Sequence, residues 1–207
     1  MYLPRHFAAD EALADELIAG ALVELISPTR DGRLIATALP MLRVGDSLLG
    51  HMARANPHWR EAGDGESLAI ARGPDGYVSP SWYPSKAEHG QAVPTWNYQS
   101  AHAHGQLVAH DDPAWVRPVV AALTRRHEAG RAEPWDIGDA PADWLDGQLR
   151  AIVGVELRIT RVEAKAKLSQ NRSAADALGV IDGLGGGPLA SAMRAALAAR
   201  QPGPEHR

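Results

Sequence analysis

Alternation of apolar and polar side chains near the end of the chain is the feature that most constrains the fold. From Val153 to Ile159 the apolar residues occupy odd positions, and from Val162 to Leu168 they occupy even positions. A period of two is typical of a β-strand with one buried face. A change of parity inside such a strand exchanges its two faces, so we expect a β-bulge near Arg161.

Shorter apolar runs in the first part of the chain predict three further strands. They cover residues 21–28, 33–40 and 47–52 and are separated by short turns that contain Asp and Gly. Turns of this composition favour hairpins. We therefore expect the three strands to pair in order, as an antiparallel meander.

Two stretches in the middle of the chain are also β-like. Residues 66–72 and 76–80 flank four turn-forming residues, 73–76, which predict a break between two strands. Residues 93–109 form the longest β-like stretch, and Gly105 is expected to interrupt it.

Helices are predicted where a capping residue precedes apolar residues spaced three or four apart. These signals mark residues 10–20, a short helix from Asn56, residues 112–127, a helix from Ser173 to near Gly179, and a final helix after Pro188 in which Leu189, Met193 and Leu197 share one face. Antiparallel strands with peripheral helices belong to the α+β class with a β-barrel core. We expect one domain over residues 1–200 and a flexible tail over 201–207.

The composition removes several classes of function. Because the chain has no cysteine, it has no disulfide, thiol nucleophile or iron–sulfur ligand. Its 21 Lys and Arg against 25 Asp and Glu give a net charge of −4, so nucleic-acid binding would need a local basic patch. The sequence contains neither a signal-peptide core nor an apolar run of about 18 residues. A cytoplasmic protein without a membrane span is the expectation.

A candidate phosphate site lies between Gly50 and Pro57, where a predicted strand meets a predicted helix. Free backbone N–H groups and the positive end of the helix dipole would attract an anion there, and Arg54 adds a bidentate donor. The same residues also fit an exposed arginine beside a capped helix. From these residues both interpretations stay open.

Two histidines, His102 and His104, are two residues apart on a predicted strand and therefore face the same side. Such a pair can bind a metal, but no third ligand is identifiable nearby in the sequence. The alternative is a pair of hydrogen-bonded imidazoles on a half-buried strand, and the predicted site accordingly contains no metal. No catalytic acid–base pair stands out, so catalytic residues are left unassigned.

The last part of the chain is basic. From Lys165 onward six Lys or Arg accompany three Asp or Glu, which fits either a solvated turn or an anion site. Residues 174–197 could be mistaken for a helix–turn–helix motif. However, the helix after Pro188 is rich in Ala and offers only Arg194 and Arg200 as base-reading side chains. Direct DNA binding is therefore disfavoured.

Five strings of residues together resemble one protein family. They are MYLP at 1–4, GHMARANP at 50–57, YVSPSWY at 77–83, VPTWNY at 93–98 and KLSQNRS at 167–173. In this order the chain resembles the PaiB-type FMN-binding negative transcriptional regulators, over nearly its whole length. The resemblance implies an α+β split β-barrel of the kind shared with flavin reductases and pyridoxamine phosphate oxidases. It also implies a homodimer that holds FMN at the subunit interface.

The resemblance further implies a phosphate cradle. His51, Arg54 and Asn56 would form it, and Arg54 would counter the phosphate charge. Thr37, on the adjacent strand, would offer its hydroxyl to the phosphate or to the ribityl chain.

A second group of residues is implied to lie beside the isoalloxazine ring. Trp96 would pack against the ring, and Asn97 would hydrogen-bond to it. Lys167, Gln170 and Arg172 would reach the cofactor or close the dimer, two roles that the sequence does not separate.

Two functions compete on this basis. The first is an FMN-binding regulator that acts indirectly or through its bound flavin. The alternative is a flavin-dependent oxidoreductase or flavin reductase that uses NAD(P)H and a small molecule. Haem or metal handling through His102 and His104 is a third, less favoured hypothesis.

Overall fold

The computed structural model describes residues 1–20 and 22–200, and the tail expected over 201–207 lies outside them. The described residues form two compact units, each assembled from separated parts of the chain. Unit 1 contains residues 1–10, 73–100 and 164–200, and unit 2 contains Glu11–Arg72 and Ala101–Glu163. The single domain over 1–200 stays a prediction.

Eight antiparallel strands form one sheet. They are β1 Ala8–Ala9, β2 Val23–Pro28, β3 Leu34–Leu39, β4 Leu42–Val44, β5 Ser47–Ala53, β6 Ser67–Val78, β7 Thr95–His110 and β8 Ile152–Lys167. The strand order is β3-β2-β6-β7-β8-β5-β4, and β1 pairs with β8. The three long strands β6, β7 and β8 each have residues in both units.

The meander expected from the first three strands is wrong. The strand β2 pairs with β3, but β5 pairs with β4 on one side and with β8 on the other. The expected strand over 33–40 ends at Leu39 and is followed by the separate strand β4. Pro40 lies between them and has no N–H to donate to a sheet ladder, which explains why β3 stops there.

Two breaks expected in the long strands are also absent from the structure. The strand β6 runs continuously through residues 73–76, and β7 runs through Gly105. A Cβ atom at Gly105 would lie 2.0 Å from the carbonyl oxygen of Arg158 on β8. Gly105 therefore permits a close approach of two backbones within unit 2 rather than a turn.

Burial along β8 follows the predicted parity in the first half of the strand. Val153, Val155 and Leu157 are fully buried at odd positions, whereas farther along both Ala164 and Lys165 are buried. The exchange of faces and the bulge near Arg161 stay predictions.

Seven helices accompany the sheet in the described part of the chain. They are α1 Glu11–Gly20, α2 His58–Glu61, α3 Ser85–His89, α4 Pro113–Glu128, α5 Ala142–Arg150, α6 Ala174–Gly183 and α7 Gly187–Ala198. None of them is long and apolar enough to cross a membrane. The caps expected at two helix starts are present: Asp112 accepts a hydrogen bond from the N–H of Ala114, and Ser173 accepts one from the N–H of Asp176.

The helix α6 continues past Gly179, where the sequence predicts its end. A Cβ atom at Gly179 would lie 2.1 Å from the carbonyl oxygen of Trp82, and one at Gly183 would lie 2.4 Å from the Trp82 ring. Gly179, Gly183 and Trp82 all belong to unit 1. The two glycines let the helix pack closely on Trp82, so they serve packing rather than termination.

Each unit has its own apolar core. In unit 1, α7 buries Leu189, Met193 and Leu197, as predicted, against α6 residues that include Val180 and Ile181. In unit 2 the helices α4 and α5 pack through Val116, Leu145 and Leu149, and α4 also packs on β4 through Val119, Leu123 and Leu42.

We expect Gly105→Ala to destabilise the protein by about 1–3 kcal/mol, the usual range for overpacking. The added methyl group overlaps the backbone of β8, which cannot rotate away as a side chain can. Urea unfolding measures the effect. The matched control is Gly147→Ala on α5, where a Cβ atom meets nothing within 4 Å and where Ala favours the helix. Equal stability of the two variants would contradict the close approach of β7 and β8.

Candidate functional site

A continuous chain of hydrogen bonds links five polar side chains in unit 2. Ser67 Oγ lies 2.8 Å from Ser27 Oγ, and Ser27 Oγ lies 2.9 Å from His58 Nε2. On the other side of the imidazole, His58 Nδ1 lies 2.9 Å from Thr37 Oγ1, to which Asn56 Nδ2 donates over 3.1 Å. Ser67, Ser27 and His58 are 0% exposed, whereas Thr37 and Asn56 are partly exposed. The chain therefore leads from the core to the surface.

Four separate elements supply these side chains. Ser27, Thr37 and Ser67 belong to β2, β3 and β6, and His58 is the first residue of α2. Asn56 holds the start of this helix, because its Oδ1 accepts a hydrogen bond from the N–H of His58 over 2.9 Å. Asn56, where the sequence predicts the start of the helix, thus binds the first N–H of α2.

The helix that was expected to attract a phosphate has only four residues, His58–Glu61. Its hydrogen-bonded dipoles are too few to sum to a strong terminal charge. The helix dipole expected from the sequence is therefore weak here, and an anion at this place would have to be bound by side chains.

The tautomer of His58 decides what Thr37 can offer to a ligand. Burial lowers the pKa of the His58 imidazole, so the ring is neutral at pH 7 and carries one N–H. If that hydrogen is on Nδ1, Thr37 Oγ1 accepts from both His58 and Asn56, and its own O–H is left to donate outward. If the hydrogen is on Nε2, the Thr37 O–H donates to His58 Nδ1 and is not available to a ligand. Only the first arrangement presents a hydroxyl donor at the surface.

The first arrangement is also consistent along the buried part of the chain. With hydrogen on Nδ1, His58 Nε2 accepts from the hydroxyl of Ser27, which in turn accepts from the hydroxyl of Ser67. Every donor then points toward Thr37, and hydrogen bonds aligned in one direction strengthen one another. The Asn56 amide has a second N–H beside the Thr37 hydroxyl. These two donors suit an oxygen that only accepts, such as that of a phosphate.

Arg54, expected to counter the phosphate charge, is held by other groups of unit 2. Its Nε donates to the carbonyl of Arg150 over 2.7 Å, and its Nη2 donates to the carbonyl of Ile152 and pairs with Asp111. This guanidinium lowers the pKa of the Asp111 carboxyl. Arg54 thus joins the end of β5 to the start of β8, and its contact with FMN stays a prediction.

His51 lies on β5 opposite Gly154 of β8. Its Nδ1 is buried and has no hydrogen-bond partner among the described residues, and burial lowers the pKa of the ring. The imidazole is therefore a neutral group with an unused polar atom. A role for it in the cradle stays a prediction.

In unit 1, Trp96 and Asn97 lie on opposite faces of β7, because successive side chains of a strand alternate. Trp96 is half exposed, donates from Nε1 to Asp75 over 2.9 Å, and meets Tyr77 edge to face at 6.2 Å. Asn97 is 1% exposed, and its Nδ2 donates to Ser169 Oγ. The sequence suggests that both face one ring, and the structure separates them.

Lys167 is the polar group of unit 1 that lies next to Trp96. Its ammonium donates to the carbonyl of Trp96 over 2.6 Å and to the hydroxyl of Thr95. Burial lowers the pKa of this lysine, and the nearby charges of Lys165 and Arg172 lower it further. The ammonium therefore lies against the backbone of Trp96 and the side chain of Thr95, and its contacts do not include the Trp96 ring.

Gln170 and Arg172 follow β8 and have contacts of their own. Gln170 accepts from the N–H of Leu168 and donates to the carbonyl of Ala166, so it braces a turn in which Ser169 has a φ of 67°. Arg172 lies over the Tyr83 ring at 4.8 Å and lines an open cleft of about 500 Å³. The bracing role explains Gln170 without a ligand, and neither residue's cofactor contact is tested by the structure.

Sequence reasoning missed His58, although it lies next to two residues that were singled out. The signal available was a histidine in the first turn after Asn56-Pro57. Its partners Ser27 and Thr37 come from strands 31 and 21 positions away, so nothing in the linear pattern indicated that it would be buried.

We expect His58→Ala to destabilise the protein by about 2–4 kcal/mol at pH 7, because it leaves a buried cavity and removes one hydrogen bond from each of Ser27 and Thr37. The loss should shrink at pH 5. The folded-state pKa of His58 is lowered, so wild-type stability falls as the pH drops below the ordinary value of 6.5. Denaturant unfolding at both pH values measures this. The control is His127→Ala, an exposed position on α4, and a penalty for His58→Ala no larger than that of the control would contradict the buried chain.

Comparison with known proteins places the chain in a family. The family described as "Putative FMN-binding domain" matches residues 1–161. The Bacillus subtilis protein named "Protease synthase and sporulation protein PAI 2" is 32% identical over 197 residues, which cover 89% of each chain.

Two solved structures share the fold. The flavocytochrome Anf3 of Azotobacter vinelandii superposes with a TM-score of 0.59 at 15% identity, over 79% of this chain and 72% of that one. The FAD and haem binding protein of Mycobacterium smegmatis superposes with a TM-score of 0.58 at 22% identity, over 87% and 80%. At these identities the likeness concerns the fold alone, and the α+β split-barrel prediction is confirmed. The chain is therefore a member of the FMN-binding domain family, and FMN is its cofactor.

Proposed function

We propose that the protein is an FMN-dependent regulator that holds the phosphate of FMN through Thr37 and Asn56. The observation that carries this proposal is the hydrogen-bonded chain of unit 2, which leaves a hydroxyl donor and an amide donor together at the surface when the His58 hydrogen is on Nδ1. A phosphate group needs such donors, since its oxygens only accept. The flavin supplies redox chemistry when bound, and the protein supplies binding, orientation and electrostatics.

The surface of unit 1 around Trp96 is proposed to contact the ring of a flavin. The half-exposed Trp96 and Tyr77 offer aromatic area, and aromatic surfaces favour offset or edge-to-face packing with other rings. Lys167 adds a cation at the backbone of Trp96. A positive charge near a flavin stabilises the reduced, anionic form of the ring.

Regulation through the bound flavin, rather than through a DNA-reading helix, is supported by α7. Its apolar side chains are buried in the unit 1 core, and its outer face is mainly alanine with Arg194. Arg200, just beyond the helix, donates to the carbonyl of Arg172. Few side chains are left to read bases, and the net charge of −4 opposes non-specific attraction to DNA.

The second candidate function is a flavin-dependent oxidoreductase that uses NAD(P)H and a small molecule. Lys167 favours it, because a partly buried cation can stabilise a reduced ring, and its lowered pKa lets it release a proton more readily than an ordinary lysine. Both functions require FMN, and they differ in whether a hydride donor reduces it.

The homodimer and the cytoplasmic location stay predictions. The aromatic surface of unit 1 supports the first, since half-exposed Trp and Tyr are enriched where proteins associate. Size-exclusion chromatography with light scattering, with and without FMN, measures the oligomeric state.

We expect Thr37→Val to weaken FMN binding at least about tenfold, the effect of losing one hydrogen bond to a charged group. Titration of the purified protein with FMN, followed by flavin fluorescence, measures the affinity. The matched control is Thr124→Val on α4, and riboflavin, which has no phosphate, is the matched ligand. Thr37→Val should leave riboflavin binding unchanged. Equal losses for both ligands, or no loss for FMN, would place the phosphate away from Thr37.

Anaerobic addition of NADPH or NADH separates the two functions. For the regulator, we expect no bleaching of the bound flavin within minutes, and no salt-sensitive binding to the promoter DNA adjoining the protein's own coding region. Rapid bleaching, slowed in Lys167→Met but not in the control Lys86→Met, would support the oxidoreductase. Tight, salt-sensitive DNA binding would overturn indirect regulation.

A further inference from the structure

Three potential metal ligands converge in unit 2, away from the Thr37 hydroxyl and its partners. His102 and His104 lie on β7, and Glu163 lies on the neighbouring strand β8. One ligand atom from each lies within 4.8 Å of the other two. His104 Nε2 and Glu163 Oε2 are 3.3 Å apart. The third ligand that the sequence did not reveal is therefore supplied by the adjacent strand.

The distances are suitable for a metal ion of ordinary size. Bonds of about 2.0–2.1 Å in tetrahedral geometry separate neighbouring ligand atoms by about 3.4 Å. The His104–Glu163 pair already has this separation. The remaining ligand atom lies within 4.8 Å of the other two, so a side-chain rotation that moves it by up to about 1.4 Å completes the set.

A second carboxylate orients one of the histidines. Glu66 Oε2 lies 3.2 Å from His104 Nδ1, so it accepts the Nδ1–H and leaves the Nε2 lone pair toward Glu163. A carboxylate that holds the far nitrogen of a ligating histidine is a common feature of metal sites. Glu66 is itself held by Thr160, whose hydroxyl donates to Oε1 over 3.3 Å.

Two carboxylates and one guanidinium surround the cluster. Glu66 and Glu163 each carry a negative charge, and Arg161 carries one positive charge, 2.9 Å from Glu163 and 3.8 Å from Glu66. Arg161 is half exposed and is able to swing away when an ion takes its place.

We propose that His102, His104 and Glu163 bind a divalent transition-metal ion of the Zn²⁺ class. Two imidazoles and one carboxylate are a ligand set for Zn²⁺ or non-haem Fe²⁺, and three protein ligands leave a position open for water or a small molecule. Glu66 is a positioning residue of this site, and Arg161 competes with the ion for Glu163.

A second histidine–glutamate pair on the same strands supplies the matched control. His110 Nε2 lies 2.9 Å from Glu156 Oε2, on β7 and β8, as the pair in the proposed site does. Its ring stacks on Trp115 at 3.9 Å, and it does not belong to the three-ligand group found among the described residues. If His104 forms only an ion pair, its substitution should affect metal binding no more than substitution of His110. If His104 binds a metal ion, only its own substitution should weaken metal binding.

The experiment uses the full chain, freed of metal with a chelator and titrated with Zn²⁺ in a calorimeter and with Co²⁺ in a spectrophotometer. We expect one Zn²⁺ per chain and the intense visible bands of four- or five-coordinate Co²⁺. His104→Gln should lower the Zn²⁺ affinity at least about a hundredfold, and Glu66→Gln about 10- to 100-fold. His110→Gln should leave it unchanged, and Arg161→Gln should tighten binding. Circular dichroism confirms that each variant is folded.

Three results would overturn the proposal. The first is no stoichiometric Zn²⁺ uptake by the wild-type chain together with only the weak spectrum of hydrated Co²⁺, a readout that needs no variant. The second is equal loss in His104→Gln and His110→Gln. The third is a haem spectrum with added haemin, lost in His104→Gln, without uptake of Zn²⁺, which would assign the histidines to haem instead.

Discussion

Burial of the His58 imidazole obliges unit 2 to supply a partner for each ring nitrogen. Ser27 and Thr37 do so from β2 and β3, on either side of the ring. An unpaired buried nitrogen would cost about 1–3 kcal/mol, so the two strands and α2 hold a common geometry. The proposed donor surface at Thr37 and Asn56 depends on this constraint, because the ring decides which way the Thr37 hydroxyl points.

Alternation of side chains along the long strands determines on which face of the sheet each remaining candidate residue lies. On β7 it turns Asn97 into the core, where it meets Ser169, and leaves Trp96 half exposed. Further along the same strand it puts His102 and His104 on one face, where Glu163 of β8 joins them. The alternation of side chains thus separates Trp96 from Asn97 and places His102 and His104 on the face where Glu163 joins them.

The candidate polar groups differ in whether the fold already supplies their partners. The Arg54 guanidinium has two backbone carbonyls and Asp111 as partners, so an added phosphate would have to displace them. The Thr37 hydroxyl and the second N–H of Asn56 have no such competition to overcome. At the proposed His102–His104–Glu163 site, Arg161 pairs with Glu163, so a bound ion would replace the guanidinium there.

The sequence by itself determined much of the secondary structure and the family. The parity of the first half of β8, the caps at Asp112 and Ser173 and the buried stripe of α7 were all readable, because each depends on side chains within a few positions of one another. Predictions from local sequence were wrong where a backbone segment distant in sequence packs against the residue. Gly105 and Gly179 looked like interruptions, and they are places where another segment approaches within 2.0–2.1 Å of an added Cβ atom. Only the tertiary structure could bury His58 between Ser27 and Thr37 or bring Glu163 to His104, since hydrogen bonds and metal ligands are chosen by distance in space.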